Sequence, residues 1–142
     1  MTADLTCDAG PDALRAVVAD LGTYPDWLEI VASADPLPPG QEGSPAWSVV
    51  LRAQLGPLRR SKRLRMVRTV DDAQHIRFER RERDGRSHSP WTLDAAIRPD
   101  GDGATLTMSL HYGGSLWIPV LDRLLADEIE RSRPRLVARL AR

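Results

Sequence analysis

Apolar residues recur with two different periods along this chain, and the change of period divides it into parts. Ala3, Leu5 and Cys7 alternate weakly over residues 2–8, which predicts a first strand at a sheet edge. Gly10-Pro11-Asp12 opens a helix, with Pro11 suited to the first helical position. Leu14, Val17, Val18 and Leu21 follow at helical spacing until Gly22 stops them. Thr23 can cap a second, short helix from Tyr24 to about Val31, with Asp26 three residues on as a partial capping box. Residues 33–45 are rich in Pro, Gly and Ser and predict a loop, long enough to be functional or simply mobile.

From Ala46 the period becomes two. Trp47, Val49 and Leu51 alternate with Ser48, Val50 and Arg52 up to Leu55, and Gly56-Pro57 turns. Residues 58–70 form a long strand with Lys62, Leu64, Met66 and Arg68 on one face. Asp71-Asp72 turns, and residues 75–83 place Ile76, Phe78, Arg80 and Glu82 on one side. Asp84-Gly85 is a hairpin signal. Trp91, Leu93, Ala95 and Ile97 alternate over residues 89–98, and Leu106, Met108, Leu110 and Tyr112 over residues 104–112. Gly113-Gly114 ends the sheet, Ser115 caps a long helix over residues 115–142, and Pro119 fits its first turn. Trp117, Ile118, Leu121, Leu124, Leu125, Ile129 and Leu136 share one face of that helix. Glu128 and Ser132 interrupt the apolar stripe, the first hint that this face looks onto something other than a dry core. Pro134 should kink the last turns.

The expected fold class is α+β: a curved antiparallel sheet of about six strands wrapped around a long C-terminal helix, with two short helices after the first strand. No repeat or second domain is visible, and 142 residues suit a single domain. The composition, 42% hydrophobic and 28% charged, is that of a soluble globular protein, and no apolar run approaches a membrane span. The acidic start, MTADLTCDAG, lacks the pattern of a signal peptide, and a lone Cys7 fits a reducing compartment, so a cytoplasmic location is expected.

Net charge is zero but unevenly spread. Residues 1–51 hold eight acids and one base, and residues 52–86 hold twelve bases and five acids. The basic block, with Lys62 the one lysine in the chain, can be the solvated face of two strands or an attractant for phosphates or an acidic partner. Nucleic acid is not the expected partner.

Order and motifs together resemble the START/SRPBCC superfamily, the helix-grip fold, and within it the bacterial branch of polyketide cyclase/dehydrase and lipid-transport proteins. The most specific piece is Tyr24-Pro25-Asp26-Trp27-Leu28, similar to the Y-P-x-W that follows the first helix in many members. Gly113-Gly114 leading into an amphipathic terminal helix agrees with it. The resemblance covers essentially the whole chain and implies a deep, mostly apolar cavity between sheet and terminal helix. Members carry lipids, cyclise aromatic rings, sense hormones or bind quinones, so fold does not fix function.

On that reading the cavity is lined by Leu64, Met66, Phe78, Trp91, Leu93, Met108, Leu110 and Tyr112 from the sheet. Trp117, Leu121 and Leu124 face them from the helix, and Trp27 lies near the mouth. Alternatively these side chains fill a closed core. Alternation also puts Lys62, Arg68, Arg80 and Glu82 on the inner face, with Glu128 from the helix. A buried charge needs a partner, so Glu128 is expected to pair with Arg80 or Arg68. Lys62 and Glu82 are expected at the rim, in solvent.

The first expectation is a binding protein for a hydrophobic or aromatic, lipid- or polyketide-like small molecule, without a cofactor and not an enzyme. The second is a cyclase/aromatase-like enzyme whose candidate acid–base groups are Glu128, Arg80 and Tyr112. The third is an interaction module using the basic strands 59–68 and 77–86. His75, His88 and His111 lack metal-ligand spacing, so no metal is expected. Cys7, without a suitably placed histidine, reads as a small core residue. Monomer and homodimer are both compatible with the sequence.

Overall fold

Residues 2–39, 43–55, 57–112 and 118–141 are described in the computed structural model. Strand β1 (Thr2–Cys7) leads to helix α1 (Pro11–Val18), a 3-10 helix (Leu21–Asp26) and strand β2 (Val31–Leu37). Five strands follow: β3 (Ala46–Leu55), β4 (Leu58–Asp71), β5 (His75–Arg80), β6 (Trp91–Asp100) and β7 (Gly103–Tyr112). Helix α2 (Ile118–Leu140) completes the described chain. The class is α+β, a helix-grip arrangement. The strands make one sheet in the order β1-β7-β6-β5-β4-β3-β2, every neighbour antiparallel.

The sheet has seven strands, one more than expected. The additional one is β2, which starts at Val31, where the second helix is expected to end, and runs into the stretch whose prolines predict a loop. It pairs along β3, with Pro36 opposite Trp47, and it is the last strand at one edge. An edge strand has a ladder on one side only, so a proline without an N–H can be tolerated there. Strand β1 forms the other edge, as its weak alternation suggests.

The short helices also differ in detail. Helix α1 ends at Val18, before Leu21. The second helix is a 3-10 turn that begins earlier than the apolar spacing suggests. Asp20, rather than Thr23, caps it, its carboxylate accepting from Gly22 N at 2.8 Å. Thr23 instead donates its hydroxyl to the carbonyls of Val17 and Asp20, at 2.8 and 2.9 Å. Strand β5 stops at Arg80, three residues short of the alternating run, and a ten-residue connection carries the chain to β6 in place of a tight hairpin. Gly85 does turn there in the left-handed region, with φ +73°.

Period-two alternation now has a physical meaning. Cross-strand pairs Val49–Leu64, Trp47–Met66, Leu93–Leu110, Ala95–Met108 and Ile97–Leu106 place apolar side chains side by side. Helix α2 contacts β1, α1 and the 3-10 helix, and Leu136 is buried in the core. The helix runs on through Pro134 to Leu140. At the β6–β7 turn, a Cβ on Gly103 would sit 2.0 Å from the Cys7 carbonyl oxygen, so β1 can approach β7 only because that residue has no side chain. Cys7 is buried beside it. Gly113-Gly114, Ser115 and Trp117 lie outside the described residues.

Candidate ligand-binding site

The site starts from strand geometry. Alternate residues of β3, β4, β6 and β7 turn Val49, Leu51, Leu64, Met66, Trp91, Leu93, Met108 and Leu110 towards one cavity. The 3-10 helix and the chain after it add Leu21, Tyr24, Leu28, Ile30 and Val31, and α2 adds Glu128 and Ile129. These residues surround about 690 Å³ of empty space, open mouth included. Apart from Glu128, every described lining residue carries an apolar or aromatic side chain. The Tyr24 hydroxyl is spoken for, donating to the Val18 carbonyl at 2.9 Å. Burial, and then the charge of Asp20, push that phenol far above its ordinary range, so it stays neutral.

Of the expected lining residues, Leu64, Met66, Trp91, Leu93, Met108, Leu110 and Glu128 come together here. Phe78 and Trp27 do not belong to the described wall. Both are core residues, fully or almost fully buried. Tyr24 packs between them, its ring 4.5 Å from Trp27 and 6.2 Å from Phe78, and Phe78 meets Trp47 edge-on at 5.6 Å. Trp27 instead lines a smaller neighbouring cavity, which shares Met108 and Ile129 with the first. Tyr112 stacks on Trp91, with rings 5.2 Å apart, and is not among the described lining residues. The side chains of Leu121 and Leu124 lie outside the described residues, as does Trp117.

The charges are arranged differently from the expectation. Arg80 does not pair with Glu128. Its Nε donates to Glu82 Oε1 at 2.9 Å, its Nη1 to the Ser89 carbonyl at 3.3 Å, and its Nη2 lies 3.3 Å from His88 Nδ1. The reason is register and chain path: Arg80 ends β5, and the connection that follows folds back over it. Glu82 is not a solvated rim residue, because its Oε1 also accepts from Arg65 N at 3.0 Å. Burial raises the Glu82 carboxyl, but the hydrogen bonds from Arg65 and Arg80 outweigh this and hold it below its ordinary range. Arg68 turns away from α2, donating to the Ala19 carbonyl at 2.8 Å and pairing with Asp71 at 3.3 Å. Lys62 is exposed, as expected at a rim.

Glu128 is buried, only 5% exposed, one turn before a second buried polar residue, Ser132. Ser132 satisfies its hydroxyl within the helix, donating to the Ile129 carbonyl at 2.6 Å. Glu128 is only half satisfied. Its Oε2 accepts from Arg131 Nη2 at 2.9 Å, while its Oε1 is buried and has no hydrogen-bond partner among the described residues. Outside this site, His75 and Arg77 both bind Asp94 Oδ1 at 2.7 Å. In the basic strands, Arg59, Arg63, Arg81, Arg83 and Arg86 are exposed.

The fold and this apolar cavity can now be set beside known proteins. The family model described as polyketide cyclase/dehydrase and lipid transport matches residues 1–141. The chain belongs to that family. Solved structures share its fold at low identity. A Thermus thermophilus protein matches with a TM-score of 0.78 and 18% identity, over 99% of this chain and 96% of its own. A START superfamily protein from Mycobacterium smegmatis matches with a TM-score of 0.74 and 18% identity, over the same shares, 99% and 96%. The Zhui aromatase/cyclase from Streptomyces sp. R1128 matches with a TM-score of 0.67 and 14% identity, over 100% of this chain and 93% of its own. No curated protein matches the sequence.

Sequence reasoning misses about half of the wall. Val49 and Leu51 share one face with Trp47 by alternation, so the signal is present. Leu21, Tyr24, Leu28, Ile30 and Val31 are the apolar members of the short helical segments, whose place over the sheet is a tertiary fact. Ile129 follows from Glu128 as its neighbour on α2.

Proposed function

We propose that the chain is a single START/SRPBCC-like domain that binds a hydrophobic or aromatic small molecule between its sheet and α2. The observation that carries this reading is the composition of the described cavity wall: aliphatic and aromatic side chains from five strands and the 3-10 segment, with Glu128 the one charged residue among them. Such a wall rewards removal of apolar surface from water and offers few polar competitors. The family's description, which includes lipid transport, agrees with it. The test is native mass spectrometry of the purified protein and of Leu93→Trp, which fills the cavity from β6. The wild type should release a small molecule on denaturation, and the variant should fold but carry none. A wild type that binds nothing and a variant of unchanged ligand content would remove the proposal.

A cyclase/aromatase-like activity is the second reading, favoured by one observation. Of the three acid–base candidates, Glu128 alone lines the cavity. Arg80 is engaged with Glu82, and Tyr112 is stacked on Trp91. On this reading Glu128→Gln keeps the fold and loses turnover of a polyketide substrate, whereas Arg80→Met acts through stability.

A further inference from the structure

Two cavities meet inside the fold. The larger is the ligand site described above, and the smaller encloses about 270 Å³ of empty space, its open side included. Among the described residues, Met108 of β7 and Ile129 of α2 alone belong to both walls. Behind them the smaller space is walled by Leu5, Trp27, Leu106 and Leu136, the last three at most 1% exposed. In front of them burial falls off: Met108 is 5% exposed, whereas Leu28, Ile30, Leu51 and Trp91 are only partly buried. A molecule entering the larger cavity from that exposed side has its inner end at Met108 and Ile129. The described wall exposes no polar surface, so hydrocarbon is what fits against it.

The two side chains are also the parts of the wall whose loss would join the spaces. The neighbour of Met108 on β6 is Ala95, itself buried and too short to close the gap that a truncated methionine would leave. A methionine side chain fills an irregular gap of this kind well. Resting on the ligand-binding reading above, we infer that Met108 and Ile129 form a partition that sets the length of the bound molecule. An apolar chain ends against them, and the space behind opens to it only when one of them is shortened.

Straight-chain primary alcohols from hexanol to dodecanol serve as rulers, with the hydroxyl left at the exposed side. Equilibrium dialysis against the full chain gives each affinity. In the wild type each added methylene should tighten binding about fourfold until the chain reaches the partition, and further methylenes should add nothing. In Met108→Ala that break should move to longer alcohols. The first alcohol past the wild-type break should then bind about fourfold more tightly than it does to the wild type. Ile129→Ala, at a half-buried position, should act in the same way and is the probe if the methionine variant does not fold. Leu5→Trp, which fills the smaller space from half-buried β1, distinguishes a partition from an open passage. It should leave the wild-type series unchanged and cancel the gain in Met108→Ala. A break that stays in place in both alanine variants, or one that Leu5→Trp shortens in the wild type, overturns the partition and leaves the cavity standing. Failure of every alcohol to bind overturns the cavity reading and the partition together.

Discussion

Arg80 and Glu128 are both ionisable residues at positions that period analysis turns inward, and both side chains are more than nine-tenths buried. Their surroundings differ. Every guanidinium nitrogen of Arg80 has a partner: Glu82, the Ser89 carbonyl and His88. His88 is held in turn by Asp84 at 2.8 Å. Among the described residues Glu128 has one partner for two oxygens, and that partner, Arg131, is mostly exposed. A completed network fixes the chain path after β5, whereas a half-completed one leaves a valence for something else. Depth alone does not separate a structural charge from a functional one; satisfaction does.

The sharpest way to break the comparison is to remove each charge in turn. Arg80→Met takes the cation from a network whose other members stay in place, leaving Glu82 without its counter-charge and the Ser89 carbonyl without its donor. Breaking such a pair should cost about 3 kcal/mol. For a domain of this size that lowers Tm by about 10 °C, which calorimetry measures directly. A shift of only a degree or two would mean that Arg80 is solvated in solution and that the network adds little.

A smaller effect is expected from the acid side of the same network. The Glu82 carboxyl is held below its ordinary range in the folded state. Its contribution to stability is therefore complete above the unfolded glutamate value, near pH 4.3, and is lost as pH falls through the lower folded-state value. Glu82→Gln should lose about 1–2 kcal/mol at pH 7, because the amide oxygen still accepts from Arg65 N but no longer offsets the Arg80 charge. The gap between wild type and variant should narrow as urea titrations move from pH 6 to pH 3. A constant gap would place the acid sensitivity elsewhere, for example at Asp94, whose carboxyl burial raises but Arg77 and His75 pull below the ordinary range.

The same two residues show how far the sequence reaches. Period-two alternation from Ala46 to Tyr112 specifies the sheet and the inward faces, because pleat geometry is local. The polar breaks at Glu128 and Ser132 are legible for the same reason: helical spacing alone places them on the apolar face. The partners are not legible. Whether Arg80 meets Glu128 or Glu82 depends on how the chain turns after β5, and nothing in the alternating run to Arg83 signals that the strand stops at Arg80. Strand β2 is lost because a proline-rich run carries a loop signal that an edge position overrides. Phe78 and Trp27 read as lining because apolar inward residues look alike in a sequence, whether they face a space or another ring.

The smallest expected change is the most informative. Glu128→Leu keeps roughly the volume of the side chain and removes both carboxylate oxygens from the helix face. The lost interaction is a single ion pair with Arg131, which can turn into solvent and recover its hydration, so little stability goes with it. Against this stands the relief of an acceptor that is buried without a donor. The two terms nearly cancel, and the net change should lie within about 1 kcal/mol of zero, on the stabilising side. Urea denaturation with an unchanged slope would read it cleanly. A loss as large as that of Arg80→Met would show that Glu128 is held by a donor in the folded protein, and the open valence that distinguishes the two residues would disappear. A neutral or stabilised variant means that the fold does not need this carboxylate, and that satisfaction rather than depth is what separates Glu128 from Arg80.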